Sequence, residues 1–392
     1  GDLDLFALCC FEVVRSTLTH GPTPGAGFGF VCYGMVHIVA LADYASAARF
    51  ADLGVALADR HADSAARTRA AMVHGMFVNH WTRLRETAGP PLARAFTLGC
   101  ESGEVAYAGY TFGFWLDSLT VGPSLEDSDR ELERGHDFTA RTGDRAATGF
   151  TAALRQLYQV PRGLAEADAV RPLSPEQLEP LGTTWRYWWF AHLTWVGLLV
   201  EHRPWIDEGL AGAERFESGA ACSWQQLIHT TAAAVVAAER WPAARGSARR
   251  ALAAQGRRLR RFLARWAAAC PSTGAAYLGL VDGAWAEAHG QRGRALAHYE
   301  AAIEHAHHIQ HWAVSILAAR RARDAATRGG QPVLAEAYAL RHGERSYTRA
   351  FIVDGRIREH RVRRAEVYPD GETWRRHESS ISAGAITFAS CS

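Results

Sequence analysis

Four side chains of metal-ligand type, Glu304, His307, His308 and His311, follow one another at i, i+3, i+4 and i+7. On an unbroken α-helix that spacing sets them on one face, where they could offer the nitrogen and oxygen ligands of a zinc site. A second set, Trp185, Trp188, Trp189 and His192, continued by Val196, has the same helical spacing. Its chemistry is that of an aromatic stripe for a ligand or partner protein. Both sets also have plain structural explanations. Histidines near a helix C-terminus are favoured by the helix dipole, and large aromatics at helical spacing ordinarily pack in a core.

Other chemistry is excluded by composition. All 43 basic residues among the 392 are Arg; the chain has no Lys at all. It therefore cannot carry a P-loop lysine, a kinase ATP-pairing lysine, a Schiff base or a Ser-Lys nucleophile pair. The net charge of +2 is spread along the chain, so no dedicated nucleic-acid surface is expected. The basic run from Arg356 to Arg364 is expected to be the solvated face of a final helix, with Ile357 and Val362 inward. The segment Gly25-Ala-Gly27-Phe-Gly29 has no strand before it, and it is expected to serve as a loop and a close helix contact, not as a phosphate cradle. No G-x-S-x-G, H-E-x-x-H or local cysteine-protease signature occurs. Seven scattered cysteines without a C-x-x-C pair point to a reduced, cytoplasmic protein. The apolar stretch from Trp185 to Val200 is too short, and too interrupted by Arg186 and His192, to span a bilayer.

The elements that must position these residues are helical. Apolar residues recur at spacings of three and four almost throughout, which predicts an all-α fold. Helices are expected over residues 232–241, 248–269, 103–119 and 146–159, with another after Ser124. Ser174, Pro175 and Gln177 form a capping-box start. Helix pairs also repeat. In the best copy, Tyr277 to Ile303, Gly283 permits close approach, Gly290 makes the turn, Ala295 is the crossing point, and Tyr299 and Ala302 fill the next interface. A second copy carries Asp43-Tyr44 in its turn, followed by Ala47, Ala51 and Gly54; a third runs from Gly330 through Ala335 and Ala339. A further turn is expected at Pro204-Trp205.

The expected architecture is a right-handed α-α superhelix, a tetratricopeptide-like solenoid of antiparallel helix pairs over residues 1–368, with 369–392 as a linker or disordered tail. In that register His307 falls where a helix ends, which breaks the Glu304 to His311 stripe.

In their order and spacing, several stretches resemble the helical-repeat region of bacterial multidomain signalling proteins. These are Phe-Val-Cys-Tyr-Gly-Met at 30–35, Asp43-Tyr44 through Phe50, Val78-Asn79-His80-Trp81, Leu98 to Tyr110, Trp266 to Pro271, and the repeat at 290–303. In that family a Ser/Thr kinase-like domain and a STAND-type ATPase precede the repeats, and GAF or PAS sensors and a histidine kinase follow them. The resemblance implies an α-solenoid that binds a protein or peptide on its concave surface and couples adjacent domains, without an activity of its own. One alternative is a small-molecule inducer-sensing solenoid of a STAND-type transcription regulator; another is an all-α enzyme with a His/Glu site in the groove. No catalytic residue, cofactor or metal is expected; the four residues from Glu304 to His311 are the metal candidates, and Trp185, Trp188, Trp189 and His192 the partner-binding ones.

Overall fold

The computed structural model describes residues 3–121, 125–345, 350–353 and 356–359. The chain is all-α apart from one small hairpin. In order the helices are α1 (Leu3–His20), α2 (Ala26–Val36), α3 (Tyr44–His61), α4 (Ser64–Val73), α5 (Gly89–Ser102), α6 (Val105–Tyr110), α7 (Gly113–Val121), α8 (Leu125–Thr142) and α9 (Arg145–Gln159). They continue as α10 (Pro175–Leu178), α11 (Thr183–Leu199), α12 (Arg203–Arg215), α13 (Trp224–Arg240), α14 (Gly246–Ala269), α15 (Pro271–Ala288), α16 (Arg292–His308), α17 (Trp312–Arg328) and α18 (Pro332–Arg345).

Local chemistry explains many of the boundaries. Asp43, Asp63, Asp144 and Ser223 each accept a hydrogen bond from a first-turn amide of the helix they open. The capping box at Ser174 and Gln177 is present, although the helix it starts is a single turn. Five inter-helix turns share one design. Gly143, Glu201, Gly290, Gln310 and Gly330 take left-handed φ values of 79°, 58°, 73°, 60° and 67°. The next residue then donates its amide to the carbonyl five positions back: Asp144 to Thr139, His202 to Gly197, Gln291 to Ala286, His311 to Ala306 and Gln331 to Ala326, at 2.8–3.0 Å.

Helices pack first on their sequence neighbours and then on the helix after next, as in α9 with α11, α11 with α13, α13 with α15 and α15 with α17. Tyr299 and Ala302, expected to fill the interface with a following helix pair, face Gly283 and Gly279 of their own pair. Ala295, Tyr299 and Ala302 are fully buried, and a Cβ on Gly283 would lie 2.4 Å from the Tyr299 ring. Ala47 and Ala51 are likewise buried, whereas Ala339, near the end of the array, is exposed. Gly27 belongs to α2 and meets Gly54 of α3 so closely that a Cβ on either would sit 2.6 Å from the other's carbonyl oxygen.

Four further expectations fail. The turn expected at Pro204-Trp205 falls earlier, at Glu201, and both residues lie in the first turn of α12. Ala26 to Gly29 open helix α2 where a loop was expected. The helix expected over 103–119 is interrupted: Gly103 ends α5 in the left-handed conformation, and the turn at Thr111 and Phe112 separates α6 from α7. The start of the basic run is not helical either. Strand β1 (Ala350–Val353) pairs antiparallel with β2 (Arg356–Glu359), Val353 opposite Arg356 and Ile352 opposite Ile357. The alternation of Arg356, Ile357 and Arg358 has the period of a strand, which outweighed the helical spacing over so short a run. Val362, Arg364 and the tail at 369–392 lie outside the described residues.

The array also closes on itself. α7 packs on α13 and α17, and α3 on α14. The Trp81 indole donates to the Cys222 carbonyl at 3.3 Å, and the Trp266 indole to the His80 carbonyl at 3.1 Å. The helices up to α9 and those from α11 onward, two parts of the chain, thus pack directly together at these contacts.

Candidate functional site

Where the two parts meet, polar side chains are buried together. Arg85, 3% exposed, lies 4.3 Å above the Phe114 ring and donates to the Phe114 carbonyl at 2.9 Å and the Ser118 hydroxyl at 2.8 Å. Two tyrosine–histidine pairs flank it. Tyr158 on α9 is 3.0 Å from His192 Nδ1 on α11, and Tyr277 on α15 is 3.0 Å from His311 Nδ1 at the start of α17. Both pairs span 34 residues, one helical repeat.

The far nitrogen of each ring faces a different group. His311 Nε2 lies 3.4 Å from the Glu86 carboxylate, which only accepts; His311 Nε2–H therefore donates there, and Tyr277 O–H donates to Nδ1. His192 Nε2 lies 3.4 Å from the Gln225 amide nitrogen, which only donates; His192 accepts there and donates Nδ1–H to Tyr158. The Gln225 amide also donates to Asp117 at 2.5 Å.

The electrostatics divide in the same way. Burial pushes the Asp117 carboxyl up to about 7, against the opposing Arg85 charge and Gln225 hydrogen bond. Burial also raises Glu86, but the His311 hydrogen bond and the Arg85 charge outweigh it and hold that carboxyl at about 2. Burial depresses His192 to about 3 and lowers His311. Both imidazoles are therefore neutral near pH 7.

Beside this network lies a cavity of about 360 Å³ between α4, α6, α7, α8, α9 and the start of α11. Met72, Val73, Met76, Phe77, Tyr107, Tyr110, Phe112, Leu116, Ala147, Trp185 and Trp188 form its walls, with Gly109, Gly113, Gly135 and Gly182 making room and Thr139, Thr151, Thr183 and Thr184 as its hydroxyl groups. No Asp, Glu, Arg or His lines it. Met76 and Phe77 sit on a π-helical turn, His74–Val78, that continues α4; such widened turns recur at functional sites. A second cleft, about 410 Å³, is lined by four Arg and four acidic residues. Its charges are matched: Arg203 and Arg321 bind Glu239, Arg328 binds Glu287, and Arg320 faces Glu201 and caps the Leu198 and Leu199 carbonyls.

The two sets of candidate residues are divided by the fold. α16 ends at His308, leaving Glu304 and His308 exposed; His307 reaches Ser315 at 3.1 Å, and His311 turns to Tyr277 and Glu86. Among the described residues, no three His, Cys, Asp or Glu side chains converge as metal ligands. Of the aromatic stripe, Trp185 and Trp188 line the cavity, whereas Trp189 is buried in the core and His192 joins the network. Sequence reasoning missed Arg85, Glu86, Asp117 and Gln225, which come from loops and helices far apart in the chain. It also passed over the Tyr/His spacing of one repeat that would have paired His192 with Tyr158 and His311 with Tyr277. Among the described residues no helix is long and apolar enough to cross a membrane. No protein-family model matches the chain, and no curated protein is significantly similar to it.

Proposed function

We propose that the chain is a non-catalytic interaction and regulatory segment of a bacterial, cytoplasmic signalling protein of the ATPase or kinase type, built as a right-handed superhelix of helix pairs. It works by protein contact. The observation that carries this reading is α1. Its inner side buries Cys10 and Val14 against the array, while Leu3, Leu5, Leu8, Phe11 and Leu18 stay 48–78% exposed. Exposed large apolar side chains clustered on one helix suit a protein contact. In this reading the partner docks on the exposed side of α1, not in a groove beside the contacts of Trp81 and Trp266.

A photo-crosslinking residue at Leu8 tests this in bacterial cells. It should trap one discrete protein or neighbouring domain, and the same residue at exposed Arg257 of α14 should trap none. Adding Leu5→Arg should abolish the Leu8 product without unfolding the chain. Identical products from both positions, or none from Leu8, would refute the reading.

A further inference from the structure

The apolar cavity is independent of α1 and asks for a different occupant. At about 360 Å³ it exceeds twice the ~150 Å³ of an engineered cavity that takes up one benzene, and it falls within the ~300–1,000 Å³ range of ligand pockets. Two fused rings fit that space. The walls also define the chemistry. A charged ligand would find no counter-ion in the lining, and a sugar would lose most of its hydrogen bonds against Met, Phe, Tyr and Trp side chains. The aromatic walls are already braced for a flat guest. Trp185 packs edge-on against Phe150 at 4.7 Å and Tyr110 at 6.3 Å, and the Trp188 ring lies 6.2 Å from Phe77.

From the volume, the uncharged lining and the aromatic walls, we infer that the cavity binds an uncharged, planar, two-ring aromatic molecule.

The site shares a helix with the buried network. Leu116 of α7 lines the cavity, while the next residues, Asp117 and Ser118, bind Gln225 and Arg85. Occupancy would thus bear on the contact between α7 and the second part of the chain.

Isothermal titration of the 392-residue chain with four probes tests the inference: coumarin, naphthalene, naphthalene-2-carboxylate and N-methylquinolinium. Coumarin should bind one-to-one, and both charged probes at least about tenfold more weakly. Trp185→Ala removes one aromatic wall and should weaken both coumarin and naphthalene by about tenfold. Trp241→Phe, on a tryptophan outside the cavity, should change neither. The inference is overturned if neither coumarin nor naphthalene binds, if a charged probe binds as tightly, or if both tryptophan variants behave alike. Selectivity among the probes on the unmodified chain decides the matter even if Trp185→Ala folds poorly.

Discussion

Tyr158–His192 and Tyr277–His311 are one contact made twice. Spacing, length and near nitrogen agree: 34 residues, 3.0 Å and Nδ1 in each. What lies beyond the ring differs, a carboxylate at Glu86 for His311 and an amide at Gln225 for His192. That single difference reverses the tautomer, so the tyrosine donates in one pair and accepts in the other. The comparison shows how two contacts of equal spacing and length can differ in chemistry because the second partner of each ring differs. Arg85 ties the two halves together, since its charge acts on both Glu86 and Asp117.

The largest way to break the comparison is to remove what both halves share. Arg85→Met should destabilise the chain by about 2–4 kcal/mol, because it leaves the buried Phe114 carbonyl and Ser118 hydroxyl without their guanidinium donor and takes away the cation that acts on Asp117 and Glu86. Urea denaturation would read this as a lower midpoint, and a shift worth under about 1 kcal/mol would show that Arg85 does not join the halves.

Removing one hydroxyl at a time sharpens the contrast. Tyr158→Phe should leave a buried N–H unpaired on His192, and Tyr277→Phe a buried lone pair on His311, at about 1–3 kcal/mol each. Nitrogen-15 NMR of the unsubstituted chain gives the direct check. His192 should show the proton on Nδ1 and His311 on Nε2; the same tautomer in both would overturn the assignment.

The two carboxyls should respond to pH with opposite sign. Between the usual aspartate value of 3.8 and about 7, folded Asp117 holds a proton that the unfolded chain has released. Its contribution therefore falls as pH rises through that window. Glu86 is held at about 2, below its usual 4.5, so its contribution is full above 4.5 and is lost as pH falls towards 2. His192 adds a loss on acidification from 6.5 towards 3. Relative to the unsubstituted chain, Asp117→Asn should gain stability on going from pH 4 to pH 8, and Glu86→Gln should gain it on going from pH 5 to pH 3. Thermal melts across that range would show slopes of one sign for both variants if the halves were alike.

The smallest effect is expected outside both pairs. His307 contacts Ser315 at a half-exposed position, so His307→Ala should change stability by less than about 0.5 kcal/mol. A larger loss would mean that the end of α16 supports the His311 turn.

Helices were legible in this chain because local signals set them: apolar residues at spacings of three and four, runs of high helix propensity in α13 and α14, the Ser174 capping box, and the Gly290 and Gly330 turns. Close approach at Gly283 was legible too, but not that Tyr299 is the ring it meets. The turn at Gln310 was not. A left-handed glutamine carries no local signature, and only its place between the Gly290 and Gly330 turns reveals it. The network was hidden for another reason. Glu86 meets His311, and Asp117 meets Gln225, only where distant parts of the chain pack together, 225 and 108 positions apart, and no local pattern records a contact at such separation.

That closure bears on how the molecule comes together in time. Stacked helix pairs can form in any order, each on its neighbour, with short loops to close. The Trp81–Cys222 and Trp266–His80 contacts instead join residues 141 and 186 positions apart, and contacts of such separation slow folding. Docking of the second part onto the first is therefore the late event of folding. A chain released before α14 is complete would hold Trp81 and His80 uncovered, an interval during which aggregation competes with folding.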